Sequence, residues 1–120
     1  MNKAMIILAC YLLTGCPSGN KFPYDKQGWI RVSKDRICYS INKNEVLSNY
    51  YLESNEDNTP HILLSSGRNA TSLTYPDTCF SIKLKSGYQY EALYILDRNK
   101  YRYRFFIDNN WNVISLKGDI

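Results

Sequence analysis

The cysteines are the residues of this chain with the most chemistry to offer, and their surroundings give the four of them different fates. Met1-Asn2-Lys3 is a short positive start, and Ala4 to Leu13 is an unbroken apolar run. A run of about ten residues has the length of a signal-peptide core and is too short to span a bilayer as a helix. It contains Cys10 and ends in Leu13-Thr14-Gly15-Cys16. An aliphatic residue, two small residues and a cysteine make the pattern of a bacterial lipobox. There the thiol takes up a diacylglyceryl group, and cleavage makes that cysteine the new N-terminus. The expectation is a lipoprotein signal peptide at 1–15, removed with Cys10, and a thioether anchor at Cys16. Several acyl chains anchor a protein stably without a transmembrane helix. Pro17 stands where an Asp would signal retention at the inner membrane, so the expected place is the periplasmic face of the outer membrane.

Cys38 and Cys79 remain. An even pair in a small exported domain, in an oxidising compartment, reads as a disulfide. A metal site is not expected, because there is no CxxC spacing and His61 is the single histidine. The same histidine, among scattered serines, makes no catalytic triad, and no residue order suggests a paired acid and base. Gly67 and Gly87 fall in turns and form no phosphate-cradling loop. No enzymatic activity and no cofactor are expected. The charge balance of 15 basic to 11 acidic residues loses only Lys3 with the signal peptide, and so mild a surplus does not indicate nucleic-acid binding.

The remaining chain must position whatever these residues do. Residues 16–28 hold Pro17, Ser18, Gly19, Asn20, Pro23 and Gly28, and read as a lipidated tether. From Trp29 onward, strand follows strand: 29–33, 36–41, 46–54, 61–65, 78–84, 88–96, 101–107 and 111–116, each bounded by turn residues. Seven to eight short strands at this spacing predict an all-β sandwich over 29–120. Leu84-Lys85-Ser86-Gly87-Tyr88-Gln89-Tyr90 resembles the tyrosine corner of fibronectin type III and related immunoglobulin-like domains. The resemblance implies that Leu84, Gly87 and Tyr90 form the corner, and that the Tyr90 hydroxyl returns to the backbone a few residues upstream. Ala92, Tyr94 and Leu96 then point inward. In the last hairpin Tyr101, Tyr103, Phe105 and Ile107 share one face, and Lys100, Arg102 and Arg104 share the other. The basic stripe is a candidate partner-binding surface, partly neutralised by Glu91 across the hairpin. Further candidates are the tyrosines Tyr50, Tyr51, Tyr75, Tyr88 and Tyr94, and an acidic tip formed by Glu53, Glu56 and Asp57.

A lipobox, a Pro/Gly/Ser/Asn tether, a strand with Ile37-Cys38, then Cys79, Leu84, Gly87-Tyr88, Tyr90 and a Tyr-rich hairpin cover nearly the whole chain. This arrangement resembles a family of small enterobacterial periplasmic lipoproteins identified as type VI secretion immunity proteins. The resemblance implies a sandwich that binds and neutralises a protein toxin acting in the periplasm. Ser86-Gly87-Tyr88-Gln89-Tyr90 is also similar to the Ser-Gly-x-x-Tyr loop of membrane-bound lysozyme inhibitors, although the tryptophan-rich stretch that follows it there is absent. An assembly or pilot subunit of an envelope machine is the third expectation.

Overall fold

The computed structural model describes residues 23–116. The expected signal peptide, Cys16 and residues 16–22 of the tether lie outside the described residues. Nine strands follow in chain order: β1 (Lys26–Gln27), β2 (Arg31–Ser33), β3 (Arg36–Cys38), β4 (Leu47–Ser54), β5 (His61–Ser65), β6 (Cys79–Ser81), β7 (Gln89–Leu96), β8 (Asn99–Ile107) and β9 (Val113–Leu116). Glu56–Asn58 is a single turn of 3-10 helix.

Alternation dictates the layers. Along β7 every second residue, Tyr90, Ala92, Tyr94 and Leu96, is buried, and along β8 Tyr103, Phe105 and Ile107 are. Successive side chains of a strand point to opposite faces, so each strand has one face for the core. The strands form two sheets. One has the order β1-β8-β7-β4-β5, with β9 also paired to β8, and the other has the order β2-β3-β6. Counting from β2, the first, second and fifth strands make one layer, and the third, fourth, sixth and seventh make the other. This is the immunoglobulin-like order, and the fold is an all-β sandwich.

Aromatic side chains fill the space between the layers. Tyr39, just past β3, meets Tyr94 edge-on at 5.3 Å between ring centroids, and Phe80 of β6 lies 4.6 Å from Tyr50 of β4. Tilted and edge-on contacts of this kind contribute beyond area burial alone. A buried phenol must also satisfy its hydroxyl, and three inward tyrosines do so on main-chain groups. Tyr39 Oη donates to the carbonyl of Tyr51, on the opposite sheet, at 2.9 Å. Tyr90 Oη accepts from the Lys85 N–H at 2.8 Å and donates to the Lys85 carbonyl at 3.1 Å. The third, Tyr94, does the same with Trp29. Gly87, with φ +89, makes the turn, and its N–H donates to the Ile107 carbonyl at 2.6 Å. The Leu84–Tyr90 segment thus closes back on itself through one hydroxyl.

Cys38 and Cys79 are directly opposite residues of β3 and β6 and form a disulfide. The bridge lies within the small sheet rather than between the sheets. The β7–β8 connection is a two-residue turn with positive φ at both Asp97 and Arg98, the geometry that matches the twist of a hairpin. Asp97 also fastens the β3–β4 loop, because its carboxylate accepts from the Val46 N–H at 2.9 Å. The sequence places this turn over four residues, and the structure gives Asn99 and Lys100 to β8.

The tether is corrected. Lys26 and Gln27 lie within the segment expected to be tether, yet they pair in parallel with Tyr101 and Arg102 of β8. Both side chains are exposed, so no hydrophobic period announces this strand; main-chain hydrogen bonds place it, joined by Lys26 Nζ donating to Asn99 Oδ1 at 2.6 Å. The same crossing explains Gly28. A Cβ there would lie 2.9 Å from Tyr101 Cβ and would strike the Tyr94 hydroxyl. The domain therefore begins before Trp29.

Two outcomes follow from the disulfide and the buried phenols. The bridged residues are 41 apart in sequence, so the chain-entropy model gives up to about 4 kcal/mol of stabilisation. Cys38→Ser is expected to lower stability in urea unfolding by a few kcal/mol, and an unchanged midpoint would contradict this role. Burial pushes the hydroxyls of Tyr39 and Tyr94 well above the usual phenol range. Below a pH of about 10 both folded and unfolded chains hold these protons. Above it only the unfolded chain releases them, so stability falls with rising pH, by about 1.4 kcal/mol per pH unit for each tyrosine. Denaturant midpoints that stay level from pH 9 to pH 11 would contradict this.

Candidate protein-binding face

The larger sheet covers the core with one face and leaves the other outward. Strand register fixes what the outward face presents. Across one row Glu53, Glu91, Arg104 and Leu116 are neighbours on β4, β7, β8 and β9, with Ile62 of β5 beside Glu53. In the next row Tyr51, Leu93 and Arg102 are neighbours, and Asn49, Ile95 and Lys100 make the third. At the far end Gln89, Phe106 and Ile114 complete the face.

A mixed charged band therefore crosses a surface that is half apolar. Ile62 is 64% exposed and Ile114 45% exposed, while Leu93, Ile95 and Phe106 are half-buried, and no strand among the described residues is layered over them. Apolar side chains gathered on one outward face mark interaction sites more often than scattered single residues do. At its centre Arg102 Nε and Nη2 both donate to Glu91 Oε2 at 2.7 Å. Glu91 also faces Glu53 directly, a like-charge pair that the guanidinium of Arg102 and the neighbouring Arg104 offset. The Tyr51 hydroxyl is pushed up, first by burial and then by the carboxylates of Glu53 and Glu91.

Lys100, Arg102 and Arg104 do share the outward face of β8, but they do not form a bare basic stripe. Arg102 is engaged by Glu91, Arg104 stands beside the same carboxylate, and Lys100 is exposed at the edge of the row. The acidic trio is divided. Glu53 belongs to the outward face, and Glu56 pairs with Lys85 at 2.8 Å in the β4–β5 turn, beside Asp57. Of the tyrosines singled out, Tyr94 is buried in the core, Tyr50 packs inward on Phe80, and Tyr51 faces outward. Tyr75 and Tyr88 are half-buried. Ser86 and Gly87 sit at the corner, with Tyr90 turned into the core.

The residues that sequence reasoning missed are Ile62, Leu93, Ile95, Phe106 and Ile114. Their signal was present. Ala92-Leu93-Tyr94-Ile95-Leu96 and Phe105-Phe106-Ile107 are apolar in both phases of the strand, which indicates cover on both faces. Among the described residues only one of those faces is covered by a second sheet.

Two concavities flank the sandwich ends. One, of about 340 Å³, lies between Asn55–Pro60 and Gln89–Glu91. The other, of about 330 Å³, is lined by Gly28, Trp29, Tyr39, Ile41, Tyr94 and Tyr101 among others. Among the described residues no group of three or more His, Cys, Asp and Glu side chains is placed to hold a metal ion, and no helix is long and apolar enough to cross a membrane. Compared with family models, curated proteins and solved structures, the chain matches none of them.

Proposed function

We propose that this chain is a periplasmic lipoprotein that binds a protein toxin and neutralises it, an immunity protein of the type VI secretion kind. The observation that carries the reading is the outward face of the larger sheet, apolar at Ile62, Leu93, Ile95, Phe106 and Ile114 and crossed by the Glu53–Glu91–Arg102–Arg104 band. Apolar area supplies the affinity of such an interface, and charges placed in fixed register select the partner. Mechanism on this reading is occlusion: the sheet face covers the toxin's active surface in a one-to-one complex, and no bond is made or broken. The lipobox adds location. A protein held on the periplasmic side meets toxins that act on the wall, the lipid or the membrane, and does not meet a nuclease working in the cytoplasm.

The test is a competition experiment with a sibling strain that delivers the effector encoded beside this gene. Deletion of the gene is expected to make cells sensitive, and the wild-type gene is expected to restore resistance. Ile62→Lys combined with Ile114→Lys changes two exposed positions. It is expected to leave the protein level and unfolding midpoint unchanged, to lower toxin affinity at least tenfold, and to fail in restoring resistance. Deletion without sensitivity in any such pairing would contradict the immunity reading. Full rescue by the double variant would contradict this face as the binding surface.

A further inference from the structure

The end of the sandwich where the described residues begin carries an exposed apolar cluster. Trp29 is 56% exposed, and Ile41 of the β3–β4 loop is 48% exposed. Both line the concavity of about 330 Å³ whose floor holds Tyr94, Leu96 and Tyr101. The exposure of Trp29 is imposed by its backbone. The Tyr94 hydroxyl accepts from the Trp29 N–H at 3.0 Å and donates to the Trp29 carbonyl at 3.1 Å. On one side of it Gly28 N–H is bonded to the Arg102 carbonyl at 2.9 Å, and on the other Ile30 is buried in the core. The peptide is held from both sides, and the indole is left outside.

We infer that this end of the domain lies against a phospholipid bilayer, with Trp29 and Ile41 seated at the boundary between headgroups and acyl chains. The inference rests on the reading of Cys16 as the lipid anchor. Cys16 and Pro23 are seven residues apart, and a chain covers at most about 3.6 Å per residue. The tether therefore reaches no more than about 25 Å, less than the width of a typical folded partner domain. The occupant that this length brings to the cluster is the membrane itself. Tryptophan suits that boundary because its ring is apolar and its N–H can reach the polar layer. Both signs of charge stand by the cluster: Glu45 lines the concavity, and Arg31 lies across from Cys38, which lines it too. Apolar insertion by Trp29 and Ile41 holds the domain down, and the contact is expected to survive high salt.

The consequence is an orientation. Gln27 pairs with Arg102, and from there β8 runs on for five residues, about 17 Å, to Ile107 and the turn that carries Trp111. The β4–β5 turn, the Ser86-Gly87 corner and Trp111 then face away from the membrane, and the outward sheet face stands upright beside it, open to a toxin.

The two tryptophans of the chain measure this directly. The full lipidated protein is reconstituted in phosphatidylcholine vesicles whose acyl chains carry bromine, a short-range quencher. Trp111→Phe leaves Trp29 alone, and Trp29→Phe leaves Trp111 alone. Trp29 emission is expected to shift to the blue and to be quenched several-fold more than Trp111 emission. Ile41→Trp, added to a chain in which both native tryptophans are Phe, reports the same end from an exposed loop position. Its emission is expected to behave like that of Trp29. If the indoles at both of these positions stay unquenched in a membrane-bound chain, or if the two ends are quenched equally, the inference is overturned. Fractionation separates the anchor: wild-type chain that stays soluble, or Cys16→Ser chain still lipidated, refutes the anchor reading and removes this inference with it.

Discussion

One phenol hydroxyl joins the beginning of this domain to its centre. Tyr94 sits at the middle of the larger sheet, pointing inward, and both hydrogen bonds of its hydroxyl go to a single peptide residue, Trp29. That residue is where the chain leaves β1 on the larger sheet and crosses to β2 on the smaller one. A crossing strand leaves its N–H and C=O without ladder partners, and burying them unpaired costs more than a typical hydrogen bond returns. Tyr94 resolves this for both groups at once. Gly28 is the companion requirement, because any side chain there would occupy the space the hydroxyl needs.

The same device closes the other end. Tyr90, four residues earlier on β7, grips Lys85 in the same two-bond manner. Between them the sandwich is pinned at the crossing that begins it and at the corner that enters β7. The disulfide adds a third constraint, inside the small sheet, where β3 and β6 are short and have few ladder bonds of their own. With both ends fixed, the larger sheet can present an outward face that contributes little to the core. That division, a core secured by clamps and an outward face with apolar residues among its charges, suits the proposed binding role.

The sequence made much of this legible, and the reasons for the remainder are physical. The period of two in Tyr101–Ile107 marked the inward and outward faces of β8, because a half-buried strand has no other way to sort its side chains. The Leu84-Gly87-Tyr90 spacing marked the corner, since the glycine conformation and the hydroxyl reach are both local. The Tyr94–Trp29 clamp was not legible. Its partners are 65 residues apart, and nothing in the types of either residue names the other. β1 escaped because a two-residue strand held by main-chain bonds has no side-chain pattern. The outward face was half legible. The basic residues of β8 and their partial neutralisation by Glu91 were legible across the hairpin, whereas the two-phase apolar runs in β7 and β8 indicated cover that the described residues do not supply.

The measurement that tests the clamp most directly is amide hydrogen exchange resolved to single residues. Trp29 and Lys85 lie outside the strands, yet their N–H groups donate to Tyr94 and Tyr90. Both amides should exchange slowly, as ladder amides do. Tyr94→Phe should release the Trp29 amide and leave the Lys85 amide protected, with the core strands unchanged. A Trp29 amide that exchanges in the wild-type chain as fast as an open loop would contradict the account at its foundation.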